Sequence, residues 1–273
     1  MKTELVYVVP LRLASTRLPR KVLARIGQSS MGALTIAKTL SASELLGGRV
    51  QVCAAVDAEE TRQTLKKEFP KLKVIMTSPD LASGTDRVAA ALAELRREDP
   101  QLNPKGVVNV QGDTPFVGTE GLIQVGRYFL ESPEAQLQTH GICTLAQTWE
   151  GDLKDLSKVK VLVNRHQEAI YFSRFPIPYS RVKASKNSKA PVIPQLHIGV
   201  YGFTPKALAQ FCAHKATPLE SHEGLEQLRA LDLGLKILVF ETSPRAHESF
   251  RGIDTKEDLL WARNFARRKT NKK

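Results

Sequence analysis

The sequence predicts an α/β protein built on a mostly parallel central sheet flanked by helices. Three observations predict it. Short apolar, largely β-branched runs occur at Leu5–Val9, Val50–Val56, Lys73–Met76 and Gly106–Val110, the pattern of strands covered on both faces. Helical periodicities fill the intervals between them. The strand and helix patterns alternate at the spacing of crossover connections, which return the chain to the same end of a sheet and make successive strands parallel.

The first strand, Leu5-Val6-Tyr7-Val8-Val9, stops at Pro10. The first helix is expected over Ala33–Leu46. A second covers Thr61–Phe69 and follows Asp57-Ala58-Glu59-Glu60, which has the spacing of a capping box. A third covers Asp86–Arg97, where Val88, Leu92 and Leu95 recur at intervals of three and four. Beyond about residue 136 strand-like stretches dominate, at Thr139–Leu145, Val159–Val163, Ala169–Phe172 and Leu196–Phe203. They suggest a smaller mixed β subdomain. A helix near Glu223–Leu233, a closing strand at Leu235–Phe240 and a last helix from about Thr255 complete the chain. Ser185–Pro194, rich in Ser, Lys and Pro, reads as an exposed loop. The whole forms one domain with portions at 1–135, 136–235 and 236–273.

With 273 residues, 42% of them hydrophobic and 25% charged, the chain can bury a sizeable core, which excludes disordered and low-complexity classes. It contains no run of 18 apolar residues and no signal-peptide pattern at its start, so a cytoplasmic protein without integral membrane association is expected. Cys53, Cys143 and Cys212 are widely spaced without a CxxC, arguing for core thiols over a disulfide framework or zinc site. The net charge of +12 would suit a nucleic-acid binder, but it is concentrated. Residues 11–28 carry +5, residues 181–190 carry +4 and the last twelve residues carry +6, leaving the remainder at −3. A uniform basic face is not implied, and no nucleic-acid partner is expected.

Ligands of open parallel sheets bind at the carboxyl ends of the strands, which marks two loops. The first, Pro10–Lys21, lacks glycine and is therefore neither a P-loop nor a dinucleotide fingerprint. Ala14 and Ser15 permit close backbone approach, and Arg12, Arg17, Arg20 and Lys21 suit a polyanion; the alternative is a solvated basic loop. The second, Gln111-Gly112-Asp113-Thr114-Pro115, sets a carboxylate just past a buried strand, with glycine for a tight turn. Asp113 could hold Mg²⁺ beside a phosphate or simply stabilise a turn. Asp254 precedes the last helix and has capping-box spacing to Glu257. His197, Gly199 and Tyr201 share one strand face. Pro218–Arg229 reads as a helix whose acids, Glu220, Glu223 and Glu226, would ordinarily form a solvated face. The remaining histidines, His140, His166, His214, His222 and His247, show no metal spacing.

Taken in order, eight segments resemble the 3-deoxy-manno-octulosonate (Kdo) cytidylyltransferases, also called CMP-Kdo synthetases. They are Pro10–Leu23 (P-x-R-x-A-S-T-R-L-P-x-K-x-L), Ser83-Gly84-Thr85-Asp86-Arg87, Val108–Asp113, Val159-Lys160-Val161, Phe172-Ser173-Arg174 with Ile177-Pro178, His197–Tyr201, Leu219–Arg229 and Gly252–Leu259. The resemblance implies a Rossmann-like nucleotidyltransferase fold and transfer of CMP from CTP to the anomeric hydroxyl of Kdo, with release of pyrophosphate, for lipopolysaccharide assembly. It implies that Arg12 and Lys21 hold the triphosphate while Ala14, Ser15, Ser83 and Gln111 line the nucleotide site. Asp113 and Asp254 would bind Mg²⁺ to orient and acidify the sugar hydroxyl, a second ion sitting on the triphosphate. Gln111, Arg174, His197, Tyr201, Glu226 and Gln227 would face the sugar acid, with Arg and His suiting its carboxylate and Glu and Gln its hydroxyls. By the same resemblance residues 1–135 are mainly nucleotide-binding, 136–235 bind sugar and form a homodimer, and 236–273 close the fold and end in a basic tail. The chain departs from the family pattern at Arg20, Val22, Leu81, Ala82 and Thr114, and activation of the 8-amino analogue of Kdo is the nearest alternative reaction. A non-catalytic nucleotide- or nucleic-acid-binding protein is the alternative from another class.

Overall fold

In chain order the elements are β1 (Leu5–Leu11), β2 (Arg25–Ile26), β3 (Ser29–Ser30), α1 (Met31–Leu45), β4 (Val50–Val56), α2 (Glu59–Glu68), β5 (Lys73–Met76), α3 (Gly84–Glu98), β6 (Gly106–Val110), α4 (Thr119–Glu131), α5 (Glu134–Thr139) and β7 (Ile142–Thr148). There follow β8 (Lys160–Val163), β9 (Ala169–Ser173), β10 (Gln195–Phe203), α6 (Pro205–Cys212), α7 (Pro218–Glu223), α8 (Gln227–Asp232), β11 (Ile237–Glu241) and α9 (Lys256–Thr270). The computed structural model describes residues 2–15, 17–148, 152–179, 194–243 and 249–270. Most of the expected Ser185–Pro194 loop and the end of the basic tail lie outside these.

One sheet runs in the order β11-β7-β10-β6-β1-β4-β5, with β8 and β9 joined to it through β10. β5, β4, β1 and β6 are mutually parallel, β10 lies antiparallel between β6 and β7, and β11 is parallel to β7. The chain after residue 136 therefore threads β7, β10 and β11 into the same sheet. It adds the β8–β9 hairpin, α7 and α8 at one side.

Every residue of β1 is buried. Alternation sends Leu5, Tyr7, Val9 and Leu11 into one core layer and Val6 and Val8 into the other. The first layer packs under α1 and α4, where the Tyr7 hydroxyl donates to the Leu122 carbonyl at 2.6 Å. The second packs under α3, α6 and α8 and includes Phe172 of β9. A smaller third cluster gathers Leu18, Ile26, Met31, Phe116, Ile253, Leu259 and Ala262, with Trp261 and Phe265 of α9 packed against it.

The helix expected over Pro218–Arg229 is broken. Gly224 takes φ 63, a left-handed conformation that ends α7, and α8 begins only at Gln227. Its acids are also not a solvated face: Glu220 is buried and forms a forked ion pair with Arg229 at 2.6 and 2.7 Å. Cys53 and Cys143 are core thiols as expected, whereas Cys212 is half-buried.

Candidate active site

The first loop leaves β1 at its carboxyl end, next to the end of β4. There the Leu13 N–H donates to Asp57 Oδ1 at 2.9 Å, and Asp57 Oδ2 lies 3.4 Å from the Arg87 guanidinium. Both side chains are buried. Asp57 was expected to start α2; instead α2 is preceded by Ala58 with no side-chain cap, because the carboxylate is committed to the loop. Arg20 adopts φ 58 and pairs with Glu60 of α2. After it a single 3-10 turn, Lys21–Leu23, buries Val22 and directs Lys21 back toward the sheet.

Lys21 Nζ lies 2.6 Å from Asp113 Oδ2 and 2.8 Å from Asp254 Oδ1, while Arg17 approaches Asp254 Oδ2 at 3.2 Å. Burial alone would lower the Lys21 pKa, but Asp113 and then Asp254 carry it above the ordinary lysine value. The alternative structural roles for both acids fall away. The turn after β6 is made by Thr114, whose hydroxyl donates to the Gln111 carbonyl at 2.6 Å, leaving the Asp113 carboxylate to Lys21. At the start of α9 the reciprocal cap is Thr255 with Asp258, not Asp254 with Glu257. Asp258 also accepts the Asp254 N–H at 3.1 Å, and so aims Asp254 without using its side chain.

Gly112 serves close approach and not the turn conformation expected of it. A Cβ there would lie 2.3 Å from Leu11 Cδ2 and 2.7 Å from the Pro10 carbonyl. Only glycine lets the loop after β6 lie against the end of β1.

Two clefts open from this point. Arg12, Ala14, Ser15, Lys21, Ser83 and Gln111 all line the first. The Ser83 hydroxyl is held there as the cap of α3, accepting the Asp86 N–H at 3.1 Å. Gln111, Arg174, His197, Tyr201, Glu226 and Gln227 all line the second, which at about 600 Å³ is larger than the first at about 250 Å³. Gln111, Asp113 and Asp254 line both.

Within the second cleft the His197 ring meets Phe172 edge-on at 5.1 Å and Tyr201 at 5.3 Å, and burial pulls its pKa down to about 3. Thr144 has one hydroxyl proton, and Oγ1 lies 2.7 Å from the Val200 carbonyl, which can only accept. Its contact with His197 Nε2 at 3.1 Å is then donated by the ring, leaving Nδ1 as an acceptor. A neutral ring whose Nδ1 has no partner among the described residues is able to accept from a hydroxyl. Glu226 Oε1 accepts from Thr85 at 2.9 Å, while Oε2 is buried without a partner among the described residues, and burial raises this carboxyl's pKa. Among the described residues no three His, Cys, Asp or Glu side chains cluster as a metal site.

A family model described as cytidylyltransferase matches residues 6–237. A 3-deoxy-manno-octulosonate cytidylyltransferase of Bdellovibrio bacteriovorus is 36% identical over 256 residues, spanning 94% of this chain and 95% of its own. The chain belongs to this cytidylyltransferase family. A relative of the same description in Wolinella succinogenes is 35% identical, spanning 92% of this chain and 95% of its own. The solved structure of a CMP:2-keto-3-deoxy-manno-octonic acid synthetase complexed with CTP superposes with a TM-score of 0.81 at 29% identity, covering 98% of this chain and 100% of that one. The chain is thus a nucleotidyltransferase on a mixed, mostly parallel sheet.

Sequence reasoning passed over several residues of this cytidylyltransferase. Asp57 and Arg87 brace the first loop. Glu223 accepts the Arg174 N–H at 3.0 Å and the Ser173 hydroxyl at 2.6 Å. Arg251, also on the second cleft, is ion-paired with Asp258 and stacked over Trp261 at 4.8 Å. The Ser-Gly-Thr-Asp-Arg segment contained the signal for Arg87. Asp57 and Glu223 show themselves only when segments distant in sequence meet, whereas the partners of Arg251 lie close by in α9.

Proposed function

We propose that the chain transfers CMP from CTP to the anomeric hydroxyl of Kdo, releases pyrophosphate and supplies CMP-Kdo for lipopolysaccharide assembly. The observation that carries this reading is that two clefts of different character share Gln111, Asp113 and Asp254 as their common border. A basic cleft suits a triphosphate, and a cleft mixing Arg174, neutral His197, Glu226 and Gln227 suits a polyhydroxylated acid. Displacement at phosphorus then takes place where they meet.

The chemistry asked of the protein is alignment and neutralisation of charge. Arg12 and Lys21 hold the triphosphate, Ala14 and Ser15 allow its close approach, and Arg174 takes the sugar carboxylate. His197 Nδ1 accepts a sugar hydroxyl, Glu226 and Gln227 line the sugar side of the cleft, and Gln111 orients both substrates at the border. Asp113 and Asp254 fit Mg²⁺: their oxygens already converge on one cationic nitrogen at 2.6 and 2.8 Å. Two hard carboxylates leave the remaining ligand positions to water and phosphate, as this ion prefers. When bound, Mg²⁺ supplies neutralisation of phosphate charge and acidification of the attacking hydroxyl.

The chain is read as a cytoplasmic homodimer. Among the described residues no helix is long and apolar enough to cross a membrane. Leu156, Ile170, Phe175, Tyr179 and Leu219, around the β8–β9 hairpin and α7, are exposed apolar side chains that a second copy would cover. Pyrophosphate release from CTP with Kdo, its 8-amino analogue and sialic acid tests the reaction. Release with Kdo is expected, and no release with any of them would remove the enzymatic reading. Light scattering at a monomer mass would remove the dimer.

A further inference from the structure

Lys160 lies in the Val159-Lys160-Val161 segment, to which the reaction above gives no role. It is completely buried at the start of β8, yet among the described residues it forms no ion pair. Its ammonium instead donates to three backbone carbonyls, those of Asp155 at 2.9 Å, Lys158 at 2.8 Å and Arg174. An ammonium has three N–H donors, so its hydrogen-bonding capacity is completely used. Burying such a charge is costly unless its donors are all satisfied, and a neutral residue of similar size would fill the space without that cost.

The three acceptors show what the charge achieves. Ser157 and Lys158 line one wall of the second cleft and Arg174 lines another. Lys160 ties the turn carrying the first wall to the main chain of the second. Arg174 is then held at both of its peptide groups by charged side chains from other elements, its C=O by Lys160 and its N–H by Glu223 at 3.0 Å. Its Nε donates to the Glu223 carbonyl at 3.0 Å, so the direction of the guanidinium depends on where this backbone sits.

We propose that Lys160 is a positioning residue for sugar-acid recognition, acting through Arg174 and the Ser157–Lys158 wall. This rests on the reading of the second cleft as the sugar-acid site. Lys160 touches neither cleft and leaves the nucleotide side unaffected.

The test is steady-state kinetics of Lys160→Met with both substrates varied, combined with Arg174→Ala in a double-mutant cycle and CTP affinity by calorimetry. The expected result is a KM for the sugar acid raised about 10- to 100-fold, the scale of a misplaced binding group, with CTP affinity within about twofold of wild type. In the Arg174→Ala background the same substitution should add little, because the group it positions is gone. An unchanged sugar-acid KM, or fully additive effects, would overturn the role of Lys160 while leaving the wild-type reaction standing. If Lys160→Met loses CTP affinity through misfolding, Lys160→Gln, which keeps two donors but loses the charge and the third, takes its place in the cycle under the same criteria. Absence of wild-type turnover would overturn the site reading and this inference together.

Discussion

The Ile253 N–H donates to the Asp113 carbonyl at 3.0 Å, joining the loop after β6 to the segment before α9. With the Ser249 N–H donating to the Phe116 carbonyl at 2.8 Å, this bond sets Asp113 and Asp254 side by side although they lie 141 positions apart. The pair therefore acts as a unit. Asp113→Asn and Asp254→Asn should each lower kcat by about 100-fold or more, the scale for losing a charge-stabilising group in a reacting site. The double variant should be little worse than either single one. Circular dichroism should show the fold intact, and near-normal turnover of either variant would remove that residue from the reacting centre.

Asp57 performs two tasks that can be separated. Asp57→Ala removes the acceptor for Leu13 and leaves Arg87 buried without its carboxylate, so stability should fall by about 3–5 kcal/mol. The KM for CTP should rise as the first loop loosens. Adding Arg87→Met should restore part of the stability, because no charge is then left unpaired, but not the CTP affinity, since Leu13 still lacks its anchor. Urea unfolding and calorimetry with CTP read the two effects; recovery of both together would contradict the division.

Arg229 lies 4.5 Å above the Phe211 ring and holds Glu220 through two hydrogen bonds. Glu220→Ala removes one half of a buried ion pair and the capping box with Thr217. A loss of about 3–5 kcal/mol is expected in denaturant unfolding. A loss below about 1 kcal/mol, typical of exposed pairs, would show that the pair is hydrated.

For His197 the sign of the pH effect is fixed. Its pKa is about 3 in the fold against 6.5 ordinarily, so between these values the unfolded chain binds the extra proton. The stability contributed by the neutral ring is complete above pH 6.5 and is lost progressively as pH falls toward 3. His197→Gln should flatten the fall in unfolding midpoint between pH 6.5 and pH 4 relative to wild type. Parallel pH profiles for the two proteins would contradict the neutral, half-buried ring.

Much of this was readable in advance, for physical reasons. The buried strands announce themselves because both faces must be apolar, and the two loops at their carboxyl ends include the basic residues and Asp113. The resemblance assembled the site residues, and all of them line the two clefts. Helix α4 was passed over although Leu122, Val125 and Phe129 recur at helical intervals; Gly121 and Gly126 lower its helix propensity. Asp57 and Asp254 both sit at capping spacings, and local pattern cannot reveal that Leu13 claims the first carboxylate or that Asp258 takes over the cap from the second. Lys160 falls in the strand-like stretch Val159–Val163, which by itself says nothing of its partners. Its meaning depends on the Arg174 carbonyl arriving from another strand.

The aromatic packing of α9 has a consequence for biosynthesis. Phe265 meets Phe116 at 4.8 Å and stacks on Trp261 at 5.0 Å, backing the basic loop through Leu18 and Met31. A nascent chain released as far as β11 can pair every strand of the sheet, yet it lacks Asp254 and the helix that seals this corner. At roughly 5–20 residues per second of elongation, Asp254 emerges only after β11. A polypeptide that stops short of residue 254 therefore carries the basic loop and Asp113 without the second acid of the pair.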